Sequence, residues 1–320
     1  MSKRPITSKI EPIGFAHGVT KTRNLPLNVY RELSCYLKLN CTFGAGSTFN
    51  IEEMIKLIPN IDLTINGQNT IFKNPLAYWY LTNYIKNQGV LAYSIDASAG
   101  TRDVWLQFEI PFTVLHGYAP EDCLLDLRNA STAVMKVDFA SSTVANTTIN
   151  SGNLFINSDE HLINDADVIK TSEVSFMQQS FTKSGKTRIE LPVGFDCNYY
   201  RLILEVFNSS NIRSDAELSE VSLQSGNNVI FIKEAHRIKQ DNCVKYKIPY
   251  ANCITGLYII DLTREGKLTQ VVETGGLSEF VINADVANSG GFMRIYAEKI
   301  TNTMPNKLGL ASQEPALKAK

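Results

Sequence analysis

The sequence of this chain is poor in histidine and has no excess of either charge. Its 320 residues include four histidines, and 31 basic side chains against 32 acidic ones leave a formal net charge of −1. A chain this close to neutral offers no basic surface for nucleic acid and no acidic, solvating tail. The histidines are scattered, and none has a second histidine at zinc-ligand spacing. They are His17, His116, His161 and His236. The sequence predicts no metal site and no sequence-specific binding of nucleic acid.

Cys-x-x-Cys pairs, which mark many metal and redox sites, are absent from the sequence. Its six cysteines lie at positions 35, 41, 123, 197, 243 and 253. Without paired spacing or nearby histidine, they are predicted to be buried free thiols in a reducing compartment. Cys35 and Cys41 lie an even number of residues apart, so on one strand both would face the same side.

Long hydrophobic runs are also missing. The longest, residues 104–114, is interrupted by Gln107 and Glu109 and falls well short of a membrane span. Residues 1–4 carry charge, but no apolar segment follows them, so no signal peptide is predicted. We therefore expect a soluble protein that is synthesised in a cytoplasm.

None of the catalytic motifs that the sequence suggests is complete. Gly185-Lys186-Thr187 resembles the end of a phosphate-binding loop, but Ser180 stands where that loop needs glycine, and a strand-like segment follows. The paired acids Glu52-Glu53 and Asp159-Glu160 are adjacent, so on a strand the two members would point to opposite faces. A distant partner across a cleft stays open, and a β-sandwich hydrolase is therefore a further alternative. We predict no enzyme and no cofactor.

What the sequence does contain is a series of short segments rich in Val, Ile, Thr, Tyr and Phe, separated by Gly, Asn, Ser and Pro. Residues 35–40 and 134–139 alternate between apolar and polar, which is typical of half-buried strands. Helix signals are few. A helix is predicted from the cap Asn74 and Pro75 to near Gly89, a second from Asn50 to before Pro59, and a third over residues 120–127. This pattern favours an all-β sandwich with a few short inserted helices.

The second half of the sequence repeats features of the first in the same order, which indicates an internal duplication. The matched segments are 21–26 with 186–192, 30–31 with 200–201, 67–72 with 226–231, 107–112 with 245–250, 125–127 with 260–262, and 150–152 with 288–290. The segment after the third match is predicted to be long in the first copy (75–87) and short in the second (233–240). The predicted organisation is an N-terminal arm (1–17), a first domain (18–160), a linker (161–180), a second domain (181–300) and a C-terminal tail (301–320).

The duplicated sandwich resembles the double jelly-roll major capsid proteins of tailless, membrane-containing icosahedral bacteriophages and their relatives. The likeness rests on residues 24–33, residues 61–67 and the helix that begins at Pro75. The resemblance implies two tandem eight-stranded jelly rolls in each chain. It also implies homotrimers that form pseudo-hexagonal capsomers in an icosahedral capsid, with penton or spike proteins as further partners in the virion. It places the termini towards the interior, where Lys3, Arg4 and Lys9 would meet an inner membrane or a neighbouring capsomer.

An aromatic cluster on the first predicted helix is the remaining candidate site. Ala77, Leu81, Tyr84 and Ile85 would form its apolar face. Tyr78 lies beside that face, and Trp79 and Tyr80 point elsewhere, so these three rings are predicted to pack on a neighbouring domain or subunit. A sugar-stacking platform is the alternative use. It would make the protein a carbohydrate- or receptor-binding β-sandwich of the spike or adhesin kind.

Overall fold

The computed structural model describes residues 5–114, 123–141, 143–161, 171–195, 197–263 and 270–301. This part of the chain forms nineteen strands and three α-helices. In the first half the strands are β1 (Pro5–Gly14), β2 (Thr20–Asn24), β3 (Val29–Phe43), β4 (Asn60–Ile65), β5 (Asn69–Asn74), β6 (Tyr93–Ser94), β7 (Gly100–Pro111), β8 (Leu125–Asp126), β9 (Ala133–Asp138) and β10 (Thr147–His161). In the second half they are β11 (Thr171–Ser180), β12 (Gly185–Leu191), β13 (Asn198–Phe207), β14 (Leu218–Ser225), β15 (Asn228–Glu234), β16 (Leu257–Asp261), β17 (Val272–Glu273), β18 (Phe280–Val286) and β19 (Phe292–Thr301). The helices are α1 (Ile51–Lys56), α2 (Leu76–Lys86) and α3 (Ala235–Lys245).

The two halves have the same sheet topology. The first half stacks an antiparallel sheet of order β1-β10-β3-β7-β6, with β8 beside β3, on one of order β2-β9-β4-β5. The second half repeats this as β11-β19-β13-β16, with β17 beside β13, and β12-β18-β14-β15. Each half has eight principal strands, four in each of its two sheets. The predicted fold class, two tandem jelly rolls with a few short helices, is confirmed.

Strand alternation builds the cores of both sandwiches. On β3 every second side chain from Leu33 to Cys41 is buried, and the residues between them face outward. On β13 Leu202, Leu204 and Val206 occupy the equivalent inward positions. Two facing sheets with this period-two pattern bury a continuous apolar layer between them.

Register and hydrogen bonds align the halves residue by residue. Tyr30 donates its hydroxyl to the carbonyl of Pro26 (2.5 Å), and Tyr199 donates to the carbonyl of Pro192 (2.6 Å). The pairing with the neighbouring strand is irregular directly after each tyrosine. Tyr30 therefore corresponds to Tyr199, one residue before the predicted Tyr200.

The other predicted matches divide into correct and wrong ones. Segments 21–26 with 186–192 and hairpins 67–72 with 226–231 occupy equivalent strands. Gly152 corresponds to Gly291, one residue beyond the predicted Gly290, because the N–H groups of Phe15 and Phe181 donate to their respective carbonyls.

Two matches are wrong. Residues 107–112 lie on β7, whereas 245–250 lie at the end of α3 and in the following turn. The counterpart of β7 is β16, since both pair with the same side of the third strand of their half. Residues 125–127 likewise correspond to β17 rather than to residues 260–262. Local motifs such as Ile-Pro-aromatic recur without structural equivalence.

The helices follow their capping signals only in part. Asn50 caps α1 by accepting from the N–H of Glu53 (3.1 Å), as predicted. The cap position of α2 is Pro75 rather than Asn74. The segments predicted to differ in length hold helices of eleven residues each, α2 and α3. The third predicted helix is wrong where the structure describes it, because residues 125–126 form strand β8.

The predicted arm and linker each contain a strand. Strand β1 lies within residues 1–17 and buries Ile10 and Ile13 against the first core, and β11 lies within 161–180 and pairs with β19. Both segments therefore belong to the large sheets, while the exact domain limits stay a prediction. Lys3, Arg4 and residues 302–320 lie outside the described residues.

The cysteines differ from the prediction at one pair and at Cys197, which is free but only partly buried. Cys243 and Cys253 are joined as a disulfide, with their Cα atoms 7.1 Å apart. Cys35 and Cys41 are free and buried on the same side of β3, as predicted. Burial raises the pKa of Cys41 to about 11, so its thiol stays protonated near neutral pH. None of the helices within the described residues has the length and apolar character needed to cross a membrane.

Candidate assembly surfaces

The three aromatic side chains singled out on α2 are buried at the contact between the two halves. Tyr78, Trp79 and Tyr80 are each at most 6% exposed in the isolated chain. The Tyr78 ring lies 5.1 Å from the ring of Tyr296 in the second half, and the Trp79 ring packs edge-on against Phe72 at 5.0 Å. Ten of the eleven residues of α2 are buried, so this helix has no solvent face.

This placement corrects the prediction of a subunit interface at Tyr78, Trp79 and Tyr80. Rings that one folded chain already covers have almost no surface left to offer a second chain. They are equally unavailable as a sugar-stacking platform, which needs exposed ring faces. Their structural role is contact with the neighbouring domain of the same chain, the other partner that the sequence suggested.

A buried ion pair lies beneath Tyr78. Arg201 donates from Nε and Nη2 to the two carboxylate oxygens of Glu298, at 2.6 and 2.9 Å, and both side chains are almost completely buried. Tyr78 donates its hydroxyl to the same carboxylate (2.8 Å). Burial, followed by the charge of Glu298, raises the pKa of Tyr78, so its hydroxyl remains a donor. Tyr78 of the first half thus adds a hydrogen bond to the buried Arg201–Glu298 ion pair of the second half.

A second ionic contact crosses between the halves near α1. Glu205, which is buried, accepts from the hydroxyl of Tyr296 (2.7 Å) and from Arg213 (2.7 Å). Arg213 also reaches Glu52 on α1 at 2.7 Å. Burial alone would lower the pKa of Arg213, but the charges of Glu205 and Glu52 raise it.

Strands β5 and β11 bring the edges of their sheets together at the same contact. Between them lies a cleft of about 1430 Å³ that is lined by both halves. Ile71 on β5 is only 3% exposed. An edge strand that would otherwise present unpaired backbone groups is therefore shielded within the chain.

The counterpart of this buried surface in the second half is exposed. Because α2 and α3 have equal lengths and each follows the equivalent hairpin, Ile71 corresponds to Ile230 and Ile85 to Val244. Ile230 is 44% exposed against 3% for Ile71, and Val244 is 82% exposed against 0% for Ile85. Exposed apolar side chains grouped on one face mark an interaction site. We call this face, formed by β15 and α3, the α3 face.

Strand β1 is the second uncovered edge. It corresponds to β11, but among the described residues no strand of a neighbouring sheet lies against its free side in the way that β5 lies against β11. Its side chains Ile6 and Lys9 are exposed. Lys9, predicted to belong to a flexible arm, therefore lies on a strand at the side of the first sandwich. No group of three or more possible metal ligands occurs among the described residues.

No protein-family model matches the chain, and no curated protein sequence matches it. Solved structures match it over almost its whole length. The chain is similar to the major capsid protein of Sulfolobus turreted icosahedral virus, with 12% identity, a TM-score of 0.79, and coverage of 97% of this chain and 99% of that one. It is similar to the major capsid protein of bacteriophage PM2, with 14% identity, a TM-score of 0.65, and coverage of 93% and 97%. It is also similar to VP54 of PBCV-1, with 11% identity, a TM-score of 0.65, and coverage of 94% of each chain. At these identities the similarity establishes the fold, which is the double jelly roll.

Proposed function

We propose that this chain is the major capsid protein of an icosahedral virus and assembles as trimeric, pseudo-hexagonal capsomers. The observation that carries the proposal is the repeated sheet order β1-β10-β3-β7 and β11-β19-β13-β16 within one chain. Three chains with two similar sandwiches each provide six similar walls, which suit a hexagonal lattice. The solved capsid proteins with this fold match nearly their whole length to this chain.

The proposed mechanism is self-association without chemistry. The α3 face and the β1 edge are the two uncovered equivalents of surfaces that the chain already buries between its halves. Burying such faces between subunits would release ordered water and join the chains, and obligate interfaces of this kind bury roughly 2,000–5,000 Å². We assign no catalytic residue and no cofactor to the chain.

Location and further partners follow from the same proposal. The protein would be synthesised in a host cytoplasm and reside in the virion, where penton or spike proteins would adjoin its capsomers. Lys3 and Arg4 precede β1 in the sequence, and we propose that their segment contacts a neighbouring capsomer or an inner membrane. Lys9 is exposed on β1 itself, and we propose the same kind of contact for it.

A carbohydrate- or receptor-binding sandwich gains no support. The aromatic cluster that suggested it is buried between the halves. None of the three solved structures compared with the chain is described as a carbohydrate-binding protein.

The native mass of the purified chain tests the proposed function. Light scattering should give about 107 kDa, three times the 35.6 kDa of one chain, or the much larger mass of closed shells. A folded protein that stays at 35.6 kDa at every concentration and salt condition tested would contradict it.

A further inference from the structure

We propose that the α3 face binds the first half of a second copy of this chain, with Arg237 paired to Asp159 of that copy. This inference rests on the proposed self-association and adds its surfaces, its direction and a specific ion pair. Contact would be head to tail, from the second half of one copy to the first half of the next. The contact inside the chain, from α2 and β5 to β11 and β19, serves as the template.

The first step is the equivalence of the two helices. Tyr78 is the third residue of α2, and Arg237 is the third residue of α3. Tyr78 is buried, whereas the side chain of Arg237 is 69% exposed and meets an exposed carboxylate of its own segment, Glu234, at 3.1 Å. An exposed pair of this kind contributes little and is easily exchanged for a better one.

The second step is the equivalence of the acids. Glu298 on β19 lies opposite Arg201, and Asp159 on β10 lies opposite Glu32, each next to the irregularity that follows the aligned tyrosines. Asp159 thus corresponds to Glu298, the acceptor of the Tyr78 hydroxyl. By the same register Arg201 of the second half corresponds to Glu32 of the first half, so an acid replaces the cation there.

The third step is the unmet requirement at Asp159. Its Oδ1 atom is buried and has no hydrogen-bond partner among the described residues. The nearby cation Lys86 is already bound to Glu32 (3.0 Å) and to Glu109. Asp159 as a whole is only partly buried, so a cation from a second copy that approaches its accessible side would compensate the charge of this carboxylate. If α3 packs against β10 of a second copy as α2 packs against β19 inside the chain, Arg237 is the residue that lies at Asp159.

The fourth step concerns the strand edges. Inside the chain β5 lies beside β11, and β15 and β1 are the corresponding pair of edges, for which the described residues provide no such neighbour. On β15 Val229, Ile230 and Ile232 are exposed, and on β1 Ile6 is exposed. Joining β15 of one copy to β1 of the next would bury these side chains together. A head-to-tail contact leaves no unused face when the ring closes.

A charge exchange in the full-length chain tests the pair. We would prepare Arg237→Asp, Asp159→Arg and the double variant, and measure the native mass by light scattering over a dilution series. Each single change should shift trimer dissociation to about tenfold higher concentration or more, and the double variant should recover most of the loss, as coupled charges do. Lys183→Glu, at an exposed loop residue between β11 and β12, is the control with the same kind of charge reversal and should leave the mass unchanged.

Thermal unfolding of every variant separates loss of contact from loss of fold. If the wild type associates and either single variant associates equally well, or the double variant shows no recovery, the Arg237–Asp159 pair is overturned while the proposed function stands. If the wild-type chain itself remains monomeric, the proposed function fails first. If Asp159→Arg unfolds the chain, Asp159→Asn in combination with Arg237→Gln takes its place. If the losses of association in these two single variants simply add up in the double variant, the proposed pair is contradicted.

Discussion

Buried charge is the feature of single residues that most distinguishes the contact between the halves. Arg201 and Glu298 form their ion pair out of water, where each charge depends on the other. Arg188 forms a comparable pair with Glu279, but half of its side chain is exposed. The two arginines occupy different environments with the same kind of partner, which makes them a matched comparison.

Arg201→Met should lower the free energy of unfolding by about 3–5 kcal/mol, because it leaves a buried carboxylate without its cation. Arg188→Met should change it far less, since solvent screens the exposed pair. Urea unfolding of both variants measures the difference. Equal losses would show that the buried pair contributes no more than a surface one.

Ile71 and Ile230 provide a second matched pair, equivalent in the duplication and opposite in burial. Ile71→Asp should destabilise the folded chain by about 3 kcal/mol or more, because it buries an unpaired charge. Ile230→Asp should leave unfolding almost unchanged but weaken self-association about tenfold or more, because that side chain would be covered only by a second copy. Urea unfolding and light scattering distinguish the two effects. Unchanged association of Ile230→Asp would argue against the α3 face as a contact.

Helix α3 is held to its own sandwich by its C-terminal end. Lys245 contacts the carboxylate of Asp261 at the end of β16 (2.6 Å), and Tyr246 donates to it at 3.1 Å. Burial tends to raise the pKa of Asp261, but the hydrogen bond from Lys245 and the charges of Arg201 and Lys245 lower it below the usual 3.8.

A carboxyl whose pKa is lower in the folded chain stabilises the fold above its unfolded pKa and loses that contribution as pH falls through the folded value. Asp261→Asn should therefore be less stable than the wild type at pH 7, and the difference should shrink once the pH falls below about 3.8. Urea midpoints at pH 7 and pH 3 measure it. A difference that is equally large at both pH values would contradict the role of the charged carboxylate.

The sequence predicted elements best where local chemistry decides them. The start of α1 at the Asn50 cap was predicted correctly, because a cap residue acts on its immediate neighbours. The rings of Tyr78, Trp79 and Tyr80 on α2 were assigned to contact with a neighbouring domain or subunit, although a helix that is apolar all round is buried. The segment that holds α3 was predicted to be short (233–240) because its polar residues conceal the equivalence to α2.

Long-range pairing is what the sequence left undetermined. Nothing local indicates that Asp159 lies opposite Glu32, or that Glu298 lies opposite Arg201, since these contacts depend on strand register. The correspondence of β7 with β16 likewise became visible only from their common partner strand. The duplication was detectable from the sequence, but its exact alignment required the hydrogen bonds of Tyr30 and Tyr199.

At the scale of the whole molecule, the chain contains one contact between its halves and uncovered equivalents of the surfaces that form it. Within the chain the first half buries its helix and strand edge against the second half. The second half presents the same elements uncovered, and the first half presents the uncovered β1 edge. A molecule with complementary unused faces at its two sides is suited to a closed ring of alternating halves.

Imaging of the purified full-length oligomer by cryo-electron microscopy tests this account most directly. We predict a particle of three chains and six similar sandwiches in a pseudo-hexagonal ring, in which α3 of each chain faces β1 and β10 of the next. A ring of this kind in which α3 points to solvent would contradict the proposed contact. Oligomers without a ring of six sandwiches, or folded monomers alone, would contradict the capsid function itself.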